Sequence, residues 1–531
     1  VLPGDDDLEA GLKQLGYGAF RPGQQEAVRT LLHDRRLLLV APTGGGKSLC
    51  YQLPALLLEG TTLVVSPLIA LMHDQVQALH KRGIAATFLA STLDSGEIRQ
   101  RMAALRQGAY KIIYAAPERL QFDGFRNLLQ EMRCPLIAID EAHCISEWGH
   151  DFRPEYLKIG ELLQSLPEAR VMACTATATP VVRDEILGRL GLAADTPQIV
   201  QGFARPNLAL RVQDVAGAKI RQAATDALLH EALGGPGAGR GTAIVYGPTR
   251  KSCEEEAQRL QRLGWRADAY HAGMDGMARE QVQGAFIAGD LEIAVATNAF
   301  GMGIDRADVR AVVHMAPPGS IEAYYQEVGR AGRDGAPAFG LLCTSPADLP
   351  LRRSLLERGG PTGEAPPAAA IEHKWGLFLE LMRWAEGGTC RHDAILRYFG
   401  DEHETLAGCG RCDVCLLLAG VSEDHAPEHV QLTVRKALSA VARIHGRFGL
   451  SAAVQMLRGA PDPRLVRAGF DKVRTFGLLR HAPEAWVLAL LRRCVTAGWV
   501  DFVGGDRPMA ILTASGLAVM KAEAPARILL P

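Results

Sequence analysis

The stretch LLLVAPTGGGKS, residues 37–48, runs four apolar residues into a glycine-rich turn and then opens a helical pattern. A strand that feeds a loop and then a helix N-terminus is a building block of open α/β folds, and this one has the composition of a phosphate-binding loop. Its glycines let backbone N–H groups converge on phosphate oxygens, where the helix dipole already favours negative charge. Thr43, Gly44, Gly45 and Gly46 supply the cradle, Lys47 is placed to reach the β- and γ-phosphates, and Ser48 to hold Mg²⁺. The usual pattern begins with Gly, and Ala41 stands there instead. A glycine-rich turn that only packs is the competing reading.

Outward from this loop, short apolar runs recur with turn signals and helical patterns between them: TLVVSP, KIIYAAPERL, LIAIDEAH and VMACTATATP. That rhythm predicts a parallel, doubly wound sheet with crossover helices. After a boundary near Gly202 a second set follows, TAIVYGPTR, ADAYHAG, EIAVATNAFGMGI, AVVHMAPP and FGLLCTS. The expectation is two α/β domains in tandem with a cleft between them. The stretch GGPGAGRG, residues 234–241, reads as a flexible loop, and GGPTGEAPPAAA, residues 359–370, as a linker closing the α/β part. A helix over residues 371–385 then precedes a cysteine cluster. The tail reads helix, turn, helix and two short strands around a Gly-Gly-Asp turn.

The length of 531 residues suggests about three or four domains. With 48% hydrophobic and 22% charged residues and no apolar stretch of about 18 residues, nothing is expected to span a bilayer. The acidic start VLPGDDDLEA does not look like a signal peptide. A net charge of −1 argues against a globally basic nucleic-acid coat but leaves local stripes open.

About ninety residues beyond the phosphate loop, LIAID places Asp140 and Glu141 at the C-terminal end of a strand, where ligands of open α/β sheets bind. Asp140 suits Mg²⁺ and Glu141 suits orienting or deprotonating an attacking water; an exposed acidic helix start is the bland alternative. In QEVGRAGRDG, Gln326, Arg330 and Arg333 stand between glycines, and arginines facing a triphosphate stabilise charge on a transferring phosphoryl group. A solvated basic loop is the alternative. Cys409, Cys412 and Cys415 have two residues between neighbours, with Cys390 upstream. That is the spacing of a closed, tetrahedral structural zinc site, with His392 or His403 as possible substitutes for one sulfur. Unliganded thiols are the alternative.

Taken together, FRPGQ, PTGGGKSLCYQ, SPLIALMHDQV, DEAHCISEWGHDFRPEY, TATAT, AFGMGID and YYQEVGRAGRDG resemble the superfamily 2 helicases, and within them the RecQ family of DNA helicases. The resemblance spans nearly the whole chain. It implies two RecA-like domains over residues 1–202 and 203–352, a helical zinc-binding module over 353–426 and a winged-helix domain over 427–531. By the same resemblance Tyr17 and Arg21 sandwich the adenine of ATP, Gln24 reads its edge, and Arg333 is the better candidate for the arginine finger. Thr175 and Thr177 couple the lobes, and the four cysteines hold zinc. An aromatic-rich loop containing Trp148, His150, Phe152 and Arg153 links single-strand binding to hydrolysis. A metal site built from His143, Cys144 and His150, or a plain core role for Trp148, Phe152 and Tyr156, competes with that loop reading.

The activity implied is 3′-to-5′ translocation on single-stranded DNA and unwinding of forked duplexes, in recombination, repair and replication-fork processing. Further expectations are a single-stranded DNA-binding protein and a topoisomerase as partners, and a bacterial cytoplasmic, nucleoid-associated location. Arg464, Arg467, Lys472 and Arg474 of the tail are candidates to approach duplex phosphates, or form a solvated face. The helical HRDC domain that many members carry after the winged helix has no room before Pro531. An RNA helicase with a DEAH signature, and a zinc-dependent DNA-binding factor with a decayed nucleotide site, are the rival readings.

Overall fold

The computed structural model describes residues 3–42, 44–146, 152–215, 217–298, 300, 306–345, 347–357, 367–401, 404, 407–420, 426–503 and 509–531. Two parallel sheets organise the first two-thirds of the chain. The first contains β1 (Arg36–Val40), β2 (Thr62–Val65), β3 (Ala86–Leu89), β4 (Ile112–Ala115), β5 (Leu136–Ile139), β6 (Arg170–Thr175) and β7 (Gln198–Val200), in the spatial order β3-β4-β2-β5-β6-β1-β7. The second contains β8 (Leu208–Asp214), β9 (Thr242–Tyr246), β10 (Ala267–Tyr270), β11 (Ile293–Ala296), β12 (Val309–His314) and β13 (Ala338–Thr344), ordered β10-β11-β9-β12-β13-β8. Every pair in both sheets is parallel. Helices cover both faces, so strands such as LLLV, TLVV and LIAI are buried along their length and read as unbroken apolar runs.

In the first sheet β2 and β4 lie on one side of β5 while β6 and β1 lie on the other, so the strand order reverses beside the phosphate loop. Crevices at the carboxyl ends of strands around such a reversal are where open α/β sheets bind ligands. The phosphate loop leaves β1 there and runs into the helix Lys47–Leu57, while Asp140 follows β5 directly.

The two lobes and the module that follows share apolar packing. Phe203, just after the first sheet, stacks on Phe399 with centroids 4.7 Å apart, and Tyr325 of the second lobe packs on both rings. Helices Ala368–Glu386, Arg391–Phe399 and Asp413–Ala419 build the module. The last part has its own core, formed by helices Pro427–Ile444, Leu450–Arg458 and Glu484–Thr496 with an antiparallel pair, β14 (Val500–Val503) and β15 (Met509–Leu512). Helices followed by a small hairpin make a winged-helix arrangement, as expected from the tail. Among the described residues no helix is long and apolar enough to cross a membrane.

Candidate functional site

The cleft between the lobes is a cavity of about 1070 Å³ lined from one side by Lys47, Asp140 and Glu141 and from the other by Gln326, Arg330 and Arg333. Gly46 has φ +79°, a left-handed conformation that glycine adopts without a steric cost, and it is the N-cap of the helix that Lys47 begins. The Lys47 ammonium donates to the Ala41 carbonyl at 3.0 Å and the Pro42 carbonyl at 3.4 Å, so it lies across the loop. Ser48 is half-buried in the same cavity, and Thr43 lies outside the described residues.

Asp140 is buried, which disposes of the exposed-helix-start reading. Burial and the neighbouring Glu141 carboxylate push its carboxyl above the ordinary range, while Lys47 pulls the other way. Such a group is stabilised as a carboxylate by an added cation, which fits Mg²⁺ held by Asp140 and Ser48. Tyr156 is core: fully buried, it donates its hydroxyl to the Asp140 carbonyl at 3.0 Å and fixes the strand end.

Glu141 lies 3.3 Å from His143 Nδ1, and the same nitrogen is 2.8 Å from Thr175 Oγ1. Thr175 Oγ1 in turn donates to the Thr177 carbonyl at 3.4 Å, and Gln326 donates to Thr177 Oγ1 at 3.1 Å. A polar chain therefore leads from the acid pair through both threonines to the second lobe. His143 Nδ1 is engaged in this chain, and its Nε2 lies 3.9 Å from Cys144 Sγ; His150, the third member of the metal reading, lies outside the described residues.

Arg333 reaches the phosphate loop itself, since a Cβ built on Gly44 would sit 3.6 Å from its Nε. Arg330 lines the same cavity. At the end of the cleft expected to take the base, Tyr17 is exposed and lies under the Arg82 guanidinium, 5.2 Å from the ring centroid. Arg21 hydrogen-bonds the Gly44 carbonyl. Gln24 is occupied: its amide donates to the Gly45 and Gly46 carbonyls at 3.2 and 3.1 Å and accepts from the Arg21 N–H at 2.8 Å. In this arrangement Gln24 shapes the phosphate loop, and reading a base edge requires it to exchange partners.

Trp148 and His150 lie outside the described residues. The loop's stem is described: the Arg153 N–H donates to the Cys144 carbonyl at 2.8 Å, closing the segment, and Phe152 is exposed beside it. Ser146 donates to Glu185 at 2.5 Å and fixes the entry.

The sulfurs of Cys390, Cys409, Cys412 and Cys415 lie within 4.8 Å of one another. Backbone N–H groups of Cys409, Cys412 and Cys415 donate to sulfurs of the preceding cysteines at 3.2 to 3.4 Å, the support that thiolates receive in a closed metal site. The surrounding apolar core is minimal: among the described residues only Val414 is fully buried alongside the cysteines, with Leu418 and Leu529 partly buried against them. Four sulfurs in so small a core fit Zn²⁺. The clustered ligand atoms are the four sulfurs, and His392 is not among them; its Nε2 meets the Leu208 carbonyl at 2.9 Å, and His403 lies outside the described residues. The basic tail residues Arg464, Arg467, Lys472 and Arg474 are exposed, and Arg464 pairs with Asp462 at 2.7 Å.

Comparison with known proteins agrees with this geometry. Residues 21–185 match the DEAD/DEAH box helicase family and 225–335 the helicase conserved C-terminal domain. Residues 346–416 match the RecQ zinc-binding family and 428–530 the RQC domain. The chain is 37% identical to the ATP-dependent DNA helicase RecQ of Bacillus subtilis over 96% of its own length and 82% of that protein's. The chain belongs to the RecQ helicase family. The RecQ of Haemophilus influenzae is likewise 37% identical, over 97% of this chain and 80% of that one. At the level of fold alone, the RecQ-type lobes resemble the helicase MrfA bound to DNA, with a TM-score of 0.51 and 19% identity over 70% of this chain and 57% of that one. Four residues whose hydrogen bonds tie segments of the RecQ fold together were not singled out from sequence: Arg205, Asn207, Arg391 and Asp413.

Proposed function

We propose that this RecQ-family chain is an ATP-dependent DNA helicase that translocates 3′ to 5′ on single-stranded DNA and unwinds forked duplexes. The observation that carries the reading is the polar chain from Glu141 and His143 through Thr175 and Thr177 to Gln326. It makes the hydrolysis pair of one lobe sensitive to the position of the other. In this reading residues 1–202 and 203–352 are the two motor lobes, 353–426 the zinc-binding module and 427–531 the winged helix that meets duplex DNA.

Lys47 and the amides of residues 43–46 bind the phosphates, and Tyr17, Arg21 and Gln24 select adenine. Ser48 and Asp140 hold Mg²⁺, which when bound neutralises charge on the β- and γ-phosphates. Glu141 orients the attacking water, and Arg333, with Arg330 beside it, meets the negative charge that spreads over the transferring phosphoryl group. Closing and reopening of the cleft then becomes stepping along the strand, with Trp148, His150, Phe152 and Arg153 reporting its presence. Single-strand contact relies on phosphate-following groups and stacking. A single-stranded DNA-binding protein and a topoisomerase belong to the same reading as partners, at the bacterial nucleoid.

The test is strand displacement on 3′-tailed against 5′-tailed duplexes, with Lys47→Ala as control. Unwinding of the 5′-tailed substrate alone overturns the polarity. Stronger stimulation of hydrolysis by single-stranded RNA than by DNA overturns the substrate, and DNA binding with no turnover above the Lys47→Ala control overturns the motor.

A further inference from the structure

The segment that joins the lobes, residues 201–207 between β7 and β8, is more than a tether. The Arg205 guanidinium donates through Nη1 to the Gly329 carbonyl at 2.9 Å and through Nη2 to the Ala331 and Gly332 carbonyls at 2.6 and 3.4 Å. Two residues on, the Asn207 amide donates to the Gly332 and Ala336 carbonyls at 2.7 and 2.8 Å. Five hydrogen bonds from two side chains thus hold four carbonyls of the loop that carries Arg330 and Arg333.

That loop leaves the C-terminus of the helix Ile321–Val328, where the last carbonyls have no partner within the helix and the dipole is negative. A guanidinium placed there satisfies several carbonyls at once and offsets the negative end. The fit is close. Gly332 has φ +64°, and a Cβ on it would lie 2.4 Å from Asn207 Nδ2, so a side chain there and the Asn207 contact exclude each other. The connector is fixed on its other side as well: Glu404 accepts from the Gly202 and Ala204 N–H groups at 3.0 and 2.8 Å, and Tyr325 donates to the Phe203 carbonyl at 2.7 Å.

We propose that Arg205 and Asn207 are positioning residues for the phosphoryl-stabilising arginines, setting the backbone of residues 329–336 so that Arg333 reaches the phosphate loop. This rests on the reading of Arg333 given above. Because the connector also carries the covalent link between the lobes, the path of the arginine loop is tied to lobe orientation. Neither side chain lines the nucleotide cavity, so each acts through the backbone it holds. A misplacement of about 1 Å in such a group costs on the order of 10²-fold in rate.

The experiment uses the full chain with DNA, Mg²⁺ and two nucleotide probes. AMP-PNP imitates the ground state, and ADP with aluminium fluoride imitates the transferring phosphoryl group. Asn207→Asp keeps the side chain's shape but replaces the donor by a carboxylate facing two carbonyls. The expected result is a fall in DNA-stimulated kcat of about 10- to 100-fold, with KM for ATP and AMP-PNP affinity within about twofold. Affinity for ADP with aluminium fluoride should fall in step with kcat. Arg205→Lys, which reaches fewer carbonyls, should show an intermediate loss of the same pattern; it carries the test if Asn207→Asp does not fold.

A kcat within twofold of the parent in both variants overturns the proposal. So does a parallel loss of kcat, KM and both analogue affinities, which marks a purely structural role. Arg333→Ala separates the two levels. If it retains the preference for ADP with aluminium fluoride, the assignment of Arg333 fails and the proposal falls with it. If it loses that preference while Asn207→Asp and Arg205→Lys keep it, the positioning role alone fails.

Discussion

Replacing Asp413 by Ala should destabilise the zinc-binding module and loosen its seat against β8 of the second lobe. Asp413 lies between two of the cysteines, and its carboxylate accepts from Arg391 Nε at 2.9 Å and Nη2 at 3.0 Å. It also accepts from the Val212 N–H of β8 at 3.0 Å. The pair is well shielded, with side-chain exposures of 7% for Arg391 and 18% for Asp413. Without the carboxylate, Arg391 retains the carbonyls of Trp384, Ala385 and Gly387 but loses the charge that neutralises it. Removing one partner of a buried pair costs about 3–5 kcal/mol. The Val212 N–H adds little, because β8 is an edge strand and water can take the vacated place. At about 2–4 °C per kcal/mol for units of this size, the transition of the second lobe with its module should fall by about 6–20 °C. Asp413→Asn keeps the side chain's shape but only one acceptor oxygen, so its NH2 group faces an N–H donor in place of the other, and the loss should be comparable to that of Asp413→Ala. Thermal melts of zinc-loaded protein, with hydrogen exchange at residues 208–214, measure both effects. A fall under about 2 °C, or unchanged exchange at β8, would refute the assignment of this contact.

Lys47→Ala should abolish DNA-stimulated hydrolysis while leaving the melting temperature within about 2 °C, since the ammonium's hydrogen bonds among the described residues go to two loop carbonyls; phosphate release and a melt check it. Phe152→Ala should leave basal hydrolysis nearly intact and remove most of its stimulation by single-stranded DNA, whereas equal loss of both rates would assign the exposed ring a packing role. Stripping zinc with a strong chelator should unfold the segment around the four cysteines, whose core is too small to persist alone, and expose all four thiols to a thiol reagent at once. The Asp140 carboxyl is raised by burial and by Glu141, so protonation competes with Mg²⁺ at a higher pH than for an ordinary carboxylate. Apparent Mg²⁺ affinity, measured by titration against ATPase rate, should therefore weaken as pH falls through the mildly acidic range, and a flat profile there would contradict the shift.

What the sequence made legible was local. Residues 37–48 carry a strand, a turn and a helix start in one window, and the acid pair directly follows an apolar strand, so both could be placed without knowing what packs on them. The strands left unread, β3, β7 and β8, all lie at sheet edges, and β3 and β7 are only four and three residues long. β8, LALRVQD, is an edge strand buried at only some positions, and its short apolar start gives way to the mostly polar RVQD. The zinc ligands were legible for the same local reason, since Cys409, Cys412 and Cys415 fall within seven residues.

Arg205 and Asn207 illustrate what was out of reach. Their partners lie 124 to 129 residues away, and the partner atoms are main-chain carbonyls, which leave no trace in residue identity. Asp413 and Val212 are 201 residues apart and pair in the same way. Gln24 makes a related point from the nearer side: an amide assigned to a base edge is engaged with carbonyls of the loop it was expected to stand beside. Sequence motifs therefore locate the groups that meet the nucleotide, whereas the groups that aim them act on backbone. That difference predicts where unexplained loss of activity should concentrate. Substitutions at Arg205, Asn207 or Gly332 should impair turnover although none of the three lines the cleft, because each alters the path of the main chain that presents Arg333.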